Sequence, residues 1–336
     1  MTHRRYVTIK AAIDHAPVAD DFVLAEGETE PLQDGDILIR TRFMSLDPYI
    51  GSVLRGRHMQ EHVPQAGDLI PCQVIGDVIE SRSDAFAVGD LAATEGIWSD
   101  HVVAKADQVR AIGTTPSGAP LSVHLGVLGM PGLTAFAGMC ELAKVGEGDT
   151  VLISAAAGPV GGTAGQIARI HGAKRVVGVA GSDEKCRMVT ERYGFDACVN
   201  YKEPNWQARI AEECPNGVDV YFDNVGGAVL DAALANINKR ARIPVCGVLS
   251  AYNEAGDRYG VQNMHLVFDK TLTIQGFLLA DFRDRWEEAR GELEDMVANG
   301  SMKDRETIAE GIDNAPDAFI GMLQGANQGK QLVKLV

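Results

Sequence analysis

The stretch Val151-Leu152-Ile153-Ser154-Ala155-Ala156-Ala157-Gly158-Pro159-Val160-Gly161-Gly162-Thr163-Ala164-Gly165 passes from an apolar run, through small residues, into helix-forming sequence. Thr150 to Ser154 predicts a buried strand, and Gly161 to His171 predicts a helix. Gly158 and Gly161 have no Cβ, so a pyrophosphate can come close to the backbone there. The unpaired amides of the helix start then face the anion, aided by the helix dipole. Gly165 is placed to let the helix lie near the strand. The spacing is A-x-x-G-x-x-G rather than G-x-G-x-x-G, and a ligand-free glycine-rich turn has the same composition. Position favours the dinucleotide reading: a strand precedes the loop, a helix opens from it, and a second strand follows.

Working outward, apolar runs alternate with helical periods. Arg175-Val176-Val177-Gly178-Val179 reads as the next strand and Asp183 to Tyr193 as the next helix. Val218 to Phe222 and Arg242 to Cys246 read as strands, with Gly226 to Asn236 helical between them. This alternation predicts parallel strands joined by crossover helices. Pro244 fits a strand interior poorly and predicts a strand start or a bulge. Ahead of this region, Ile37-Leu38-Ile39, Val74 to Ile79 and His101-Val102-Val103 are short strands separated by Gly, Pro and Asp. The expected class is α/β, a Rossmann-type doubly wound parallel sheet plus a β-rich domain. Residues 1–125 form the β-rich domain, 126–299 the Rossmann domain, and 300–336 return to the first with Gln331 to Val336 as a closing strand.

The second strand bears on which dinucleotide fits. NAD binders carry an acid at its end for the ribose hydroxyls. Here it ends in Val179-Ala180-Gly181-Ser182, and Lys185 and Arg187 follow within a helical turn. That pattern favours a 2′-phosphate, hence NADP(H) over NAD. Asp183 runs against this preference and is assigned to capping the helix. Lys185 as a merely solvated helix residue remains the alternative.

Whole-chain properties narrow the partners. The 336 residues, 46% hydrophobic, suffice for two cores. The net charge of −15 disfavours nucleic acid and anionic membranes and suits a protein that handles small molecules. No run approaches the roughly 18 apolar residues of a membrane helix. MTHRRYVTIK is basic without a following apolar segment, which predicts a cytoplasmic protein. Cys72, Cys140, Cys186, Cys198, Cys214 and Cys246 are scattered and form no C-x-x-C pair, so they read as inert thiols and no metal site is expected.

Many short segments, in order along essentially the whole chain, carry a resemblance. They are Ser45-Leu46-Asp47-Pro48-Tyr49, Gly129 to Ala135, Ala155 to Gly161, Gly181 to Lys185, Asn200-Tyr201-Lys202, Tyr221 to Gly227, Cys246-Gly247 with Tyr252-Asn253, and Asn327 to Lys330. The chain resembles the zinc-free medium-chain dehydrogenases/reductases that include leukotriene B4 dehydrogenase/prostaglandin reductase, plant alkenal double-bond reductases and bacterial curcumin reductase. The resemblance implies a GroES-like first domain and a homodimer. It implies that Gly158, Pro159, Val160 and Gly161 hold the pyrophosphate, and that Gly181, Ser182, Lys185 and Tyr201 meet the 2′-phosphate end. Asn224, Cys246, Gly247, Val248, Leu249, Ser250, Tyr252, Phe277, Leu278 and Leu279 would line the cofactor toward the nicotinamide, with Met130, Thr134 and Asn327 also reaching it. Two departures stand out. Ile50-Gly51 follows Tyr49 where relatives commonly read Met-Arg, and Phe268 stands where many carry a tyrosine ahead of Ile274-Gln275-Gly276-Phe277.

The implied chemistry is NADPH-dependent hydride delivery to the β-carbon of α,β-unsaturated ketones or aldehydes. The carbonyl oxygen then needs a hydrogen-bond donor, for which Tyr49 and Tyr252 are the candidates. A Tyr is otherwise most often a packing residue. His58, His62 and His124 lack a partner carboxylate at readable spacing and read as structural. Two alternatives remain: a zinc-free carbonyl or quinone reductase or alcohol dehydrogenase, and a non-catalytic NADPH-binding sensor on the same fold.

Overall fold

The structure, a computed structural model, describes residues 1–57, 62–252 and 259–336, with the backbone alone at Tyr252. The chain divides into two compact units. One comprises Met1–Thr115, Pro120–Leu125 and Glu306–Val336, and the other Pro116–Ala119 and Gly126–Arg305.

The first unit is built mostly from antiparallel strands. β1 (His3–Ile9) pairs with β2 (Phe22–Glu28) as a two-stranded sheet. β3 (Asp36–Leu46) leads into the short helix α1 (Tyr49–Val53). β4 (Pro71–Ser81), β5 (Leu91–Ile97), β6 (His101–Lys105) and β7 (Arg110–Ile112) follow. Strand β3 alternates buried and exposed positions only in its middle and is buried at both ends; β4 pairs along it, β6 pairs with Asp36 to Arg40, and the strand Lys330–Lys334 pairs with Phe43 to Leu46.

The second unit opens with α2 (Met130–Phe136). The units β8 (Thr150–Ser154), α3 (Pro159–Ile170), β9 (Arg175–Ala180), α4 (Asp183–Glu191) and β10 (Ala197–Asn200) come next. After α5 (Trp206–Glu213) come β11 (Val218–Phe222), α6 (Gly227–Ala235), β12 (Ile237–Val245), α7 (Leu249–Tyr252), α8 (His265–Asp269), β13 (Thr273–Gly276) and α9 (Trp286–Ala298). The sheet order is β10-β9-β8-β11-β12-β13, and every pairing is parallel. This is the doubly wound order expected from the alternation of runs, and its direction reverses between β8 and β11. β8 is buried at every position, as a central parallel strand covered on both faces must be.

The chain then returns to the first unit with β14 (Glu306–Glu310), α10 (Ala315–Leu323) and β15 (Lys330–Lys334). β15 lies between β14 and β3 in a seven-stranded sheet. An aromatic cluster fastens α10 there: Trp98 stacks on Phe22 at 5.6 Å between centroids and meets Phe319 edge-on at 5.3 Å.

Three local expectations change. The helix after the glycine loop opens at Pro159, two residues before Gly161, because proline's fixed φ and missing amide suit a first helical position. Pro244 lies inside β12, opposite Gln275, and neither starts the strand nor forms a bulge itself. It is tolerated there with its carbonyl accepting the Asp223 amide at 3.0 Å. Gly165 faces an aromatic ring and not a strand: a Cβ on it would lie 1.9 Å from Cζ of Phe195, in the chain entering β10. Gly165→Ala should therefore cost about 1–3 kcal/mol by overpacking. Urea denaturation should show part of that loss recovered in the Gly165→Ala/Phe195→Leu double variant; strict additivity would contradict the packing described.

Candidate functional site

The turn between β8 and α3 is tight. Ala155 takes a left-handed φ of +49°. Its carbonyl accepts the Gly158 amide at 2.9 Å, and the Ala156 amide reaches Val179 of β9 at 3.1 Å. A Cβ on Gly161 would stand 2.5 Å from the Ala155 carbonyl oxygen, which no rotamer change relieves. The first amide of α3 to find a helical acceptor is that of Gly162, bonded to Gly158. Pro159 has none, so the Val160 and Gly161 amides lie in the helix start without helical acceptors, and α3 has no side-chain cap. The arrangement suits an anion. α2 packs against α3. It carries Met130 and Thr134, whose hydroxyl donates to the Met130 carbonyl at 2.7 Å.

At the end of β9 four of the expected residues come together. The Ser182 side chain accepts the Lys185 amide at 3.2 Å and is the N-cap of α4. This corrects the assignment of capping to Asp183. Ser182 has the extended φ/ψ a cap requires, whereas Asp183 is already inside the helix and accepts from Asn200 Nδ2 at 2.9 Å. Tyr201 lies over Gly181, where an added Cβ would be 3.1 Å from its hydroxyl oxygen. The Lys185 ammonium titrates below the ordinary lysine range because it is half-buried and because Lys202 repels it. Two cations thus crowd the strand end beside Tyr201. Lys202, three residues beyond β10's Val199, was not singled out from sequence; it becomes visible only once β10 pairs with β9. Arg187 points to solvent on the exposed face of α4.

Across the sheet reversal, the end of β11 organises a third group. Asp223 is fully buried, and one carboxylate oxygen accepts from the Tyr221 hydroxyl at 2.8 Å, the Val225 amide at 3.0 Å and the Gly226 amide at 2.8 Å. Its other oxygen has no partner among the described residues. Burial raises its pKa. Its backbone carbonyl accepts the amides of Cys246 and Gly247, while Leu249 and Ser250 bond back to Asn224 and Val225. Burial, then the nearby Asp223, pushes the Cys246 thiol up to about 12. Asn224 is held by Ser154, donating from Nδ2 to the Ser154 carbonyl at 2.7 Å and from its amide to Oγ at 2.8 Å. Asn224 and Cys246 to Ser250 are therefore one hydrogen-bonded patch, with Asp223 as the anchor that sequence reading passed over. Val248 is exposed in it, and the side chain of Tyr252 lies outside the described residues. Phe277 packs edge-on against Phe222 and Phe282 at 6.5 and 6.0 Å. Leu278 is exposed and Leu279 half-buried.

In the first unit, a buried polar cluster surrounds Tyr49. Lys330, 2% exposed, pairs with Asp47 and donates to the Leu46 carbonyl at 3.2 Å; Ser45 also donates to Asp47. Burial, reinforced by the charges of Asp47 and Glu95, holds the Tyr49 phenol protonated well above its usual range. Asn327 sits just ahead of Lys330 with its Nδ2 on the Gly329 carbonyl at 2.8 Å. His62 pairs with Asp68 at 2.7 Å on the surface, His124 is buried against Thr115 at 3.2 Å, and His58 lies outside the described residues. Phe268 is 88% exposed on α8. Among the described residues, no group of three or more His, Cys, Asp or Glu is placed to hold a metal ion. Near Cys72 the cation beside Asp47 is the Lys330 ammonium.

Residues 159–295 match the family described as "Zinc-binding dehydrogenase", and residues 5–112 the "N-terminal domain of oxidoreductase". The chain is 39% identical over 329 residues to the NADPH-dependent curcumin reductase of Escherichia coli, covering 95% of this chain and 93% of that protein. It is 36% identical to prostaglandin reductase 1 of Bos taurus, over 99% of this chain and all of that one, 100%. It superposes on the crystal structure of CurA from Vibrio vulnificus in complex with NADPH with a TM-score of 0.90, at 34% identity and 99% coverage of both chains.

The cap assignment has a direct check. Ser182→Ala should cost about 1 kcal/mol in thermal or urea unfolding, and Asp183→Ala clearly less. The reverse order would return capping to Asp183.

Proposed function

The chain belongs to the medium-chain dehydrogenase/reductase family of zinc-binding dehydrogenase domains, and we propose that within it this protein is an NADPH-dependent reductase of the C=C bond of α,β-unsaturated ketones and aldehydes. The observation that carries the cofactor half of the proposal is the strand end at β9, where Lys185 and Lys202 crowd together beside Tyr201 and β9 itself carries no acid. Relatives named as NADPH-dependent or prostaglandin reductases support it.

In this reading the Val160 and Gly161 amides hold the pyrophosphate, with Gly158 and Pro159 shaping the turn. Lys185, Lys202, Tyr201, Ser182 and Gly181 take the 2′-phosphate, which an acid would repel. Asn224 and Cys246 to Ser250, kept in place by Asp223, line the nicotinamide end together with Phe277, Leu278, Leu279 and Tyr252. Met130, Thr134 and Asn327 complete the cofactor contacts. NADPH, when bound, supplies the hydride for the β-carbon. Negative charge then gathers on the carbonyl oxygen, and a fixed donor there lowers the barrier. Tyr49 is suited to that role because burial and its acidic neighbours keep its hydroxyl protonated; Tyr252 is the second candidate. The α-carbon takes its proton from water or a hydroxyl.

The family's name implies zinc, but the described residues do not fit it, and no step here uses a metal. The first unit (Met1–Thr115, Pro120–Leu125 and Glu306–Val336) would serve the substrate, and the second the cofactor. We also place the protein in the cytoplasm as a homodimer acting on small molecules, with neither nucleic acid nor membrane as partner. No helix among the described residues is long and apolar enough to cross a membrane. β13 is an uncovered edge with mostly exposed residues, and Phe268 and Met264 are exposed on the neighbouring α8 segment, which favours pairing with a second copy. Direct carbonyl reduction is the second reading, favoured by the same protonated Tyr49.

NADPH oxidation at 340 nm against enones, enals, quinones and simple ketones separates the readings. Enone turnover with NADPH preferred over NADH is expected; turnover of simple carbonyls alone would sink double-bond reduction. Lys185→Gln should weaken NADPH binding about tenfold or more and leave NADH nearly unchanged. A lowered ammonium pKa means Lys185 loses its charge before ordinary lysines, which titrate near about 10.4. NADPH affinity should therefore fall as pH rises toward that range, with NADH and Lys185→Gln showing no such fall.

A further inference from the structure

Beside the patch from Cys246 to Ser250 stands a buried acid that the cofactor contacts leave unused. Asp231 lies on α6, one helical turn beyond Gly227, and is buried. One of its side-chain oxygens accepts the Gln262 amide at 3.0 Å and the Asn263 amide at 2.8 Å. The other accepts the Tyr259 hydroxyl at 3.0 Å. Asn263 Nδ2 donates to the Asp231 carbonyl at 3.1 Å. Val261, between these contacts, packs on the apolar cluster that contains Val229 and Ala233 of the same helix. Tyr259 to Asn263 are thereby fastened along α6 by hydrogen bonds and by an apolar contact.

Two bare glycines set where that segment meets the patch. Gly226 and Gly227 take left-handed φ of +70° and +55°. A Cβ on Gly227 would stand 3.1 Å from Ser250 Oγ and 3.8 Å from Cβ of Tyr259. One on Gly226 would stand 3.6 Å from Cγ1 of Val248. Ser250 is itself tied down, its hydroxyl donating to the Val225 carbonyl at 2.6 Å. Val248, Ser250 and Tyr259 therefore meet over the start of α6. Val248 and Tyr259 are both exposed there. The Tyr259 hydroxyl is committed to Asp231, and that bond raises the phenol above its usual range. What Tyr259 offers to a ligand is its ring. Exposed apolar side chains held by buried polar anchors, next to a cofactor patch, are what the wall of a ligand site is made of.

Given the proposed placement of Cys246 to Ser250 at the nicotinamide end, we propose that Asp231 is a positioning residue that holds the ring of Tyr259 beside Val248 as a contact for the apolar part of the substrate. Asp231 touches neither substrate nor cofactor and acts through Tyr259. The Tyr259 hydroxyl takes no part in the reaction, which leaves the carbonyl donor to Tyr49 or Tyr252. A ring on an untethered segment loses freedom when a ligand arrives, and fixing it beforehand removes that cost. A contact of this kind is made alike in the ground state and the transition state, so it acts on KM and leaves kcat in place.

The test compares 3-nonen-2-one with 3-buten-2-one, which lacks the pentyl chain, on the full chain and its variants. Tyr259→Ala should raise KM for 3-nonen-2-one roughly five- to tenfold, the worth of one or two buried methylene groups. Its kcat, its NADPH dissociation constant and its KM for 3-buten-2-one should stay near wild type. Tyr259→Phe keeps the ring, and the Gln262 and Asn263 amides still hold the segment, so it should resemble wild type. Asp231→Ala should follow Tyr259→Ala, and Asp231→Asn, whose side-chain oxygen can still accept both amides, should recover most of the loss. The double variant Asp231→Ala/Tyr259→Ala should be no worse than Tyr259→Ala alone; additive losses overturn the positioning role. An equal rise in KM for both ketones, or a weakened hold on NADPH, overturns the substrate contact. Binding of 2-nonanone to the NADP+-loaded protein needs no turnover and is measured alongside. If no enone is reduced but 2-nonanone binds less tightly to Tyr259→Ala and Asp231→Ala, double-bond reduction fails and the contact stands. Unchanged 2-nonanone binding in both variants overturns the contact whether or not enones are reduced.

Discussion

The second unit depends on how closely α3 can approach the end of β8. A helix that starts directly behind a buried strand must turn within a few residues. The turn closes here because Ala155 adopts a left-handed φ and Gly161 presents no Cβ to the Ala155 carbonyl. Any side chain at Gly161 would push the helix start away from the strand. The bare amides of Val160 and Gly161 would then lose their common direction. Behind this contact, α3 rests on Phe195 through Gly165, so the same helix is set by close approach at its start and at its middle.

From that turn the other parts follow by sheet order. β9 lies on one side of β8 and β11 on the other. One neighbour ends in the cation-rich corner of Lys185, Lys202 and Tyr201. The other ends in Asp223, whose carboxylate and carbonyl tie the strand end to the segment from Cys246 to Ser250. Leaving one buried Asp223 oxygen unpaired is costly in isolation. The cost is offset locally by the several donors gathered on the other oxygen. In the first unit the buried Asp47–Lys330 pair does comparable work, joining the end of β3 to the start of β15. Breaking such a pair exposes the protein to an uncompensated buried charge, which is more damaging than removing both partners.

Much of the candidate site was legible as local chemistry. The glycine loop, the lack of an acid on β9 and Lys185 all follow from which residue types tolerate a close phosphate. Where the reading failed, the failure was one of register or of distance in the chain. Ser182 and Asp183 are both good caps, and only the backbone angles distinguish them. Gly165 was given to a strand because the ring of Phe195, thirty positions on, could not be foreseen beside it. Asp223 was passed over because a single acid in an apolar run carries no sign of how many amides will converge on it.

The sequence by itself determined the alternation of strand and helix, the anion-ready turn and the family resemblance, since each rests on neighbours within a few residues. Tertiary structure alone decided the pairing of β10 with β9. That pairing brings Lys202 close enough to Lys185 to repel it, although the two are separated by more than ten residues. The physical reason is that charge repulsion acts over a few ångströms of space. Separation along the chain says nothing about those ångströms until the sheet has chosen its neighbours.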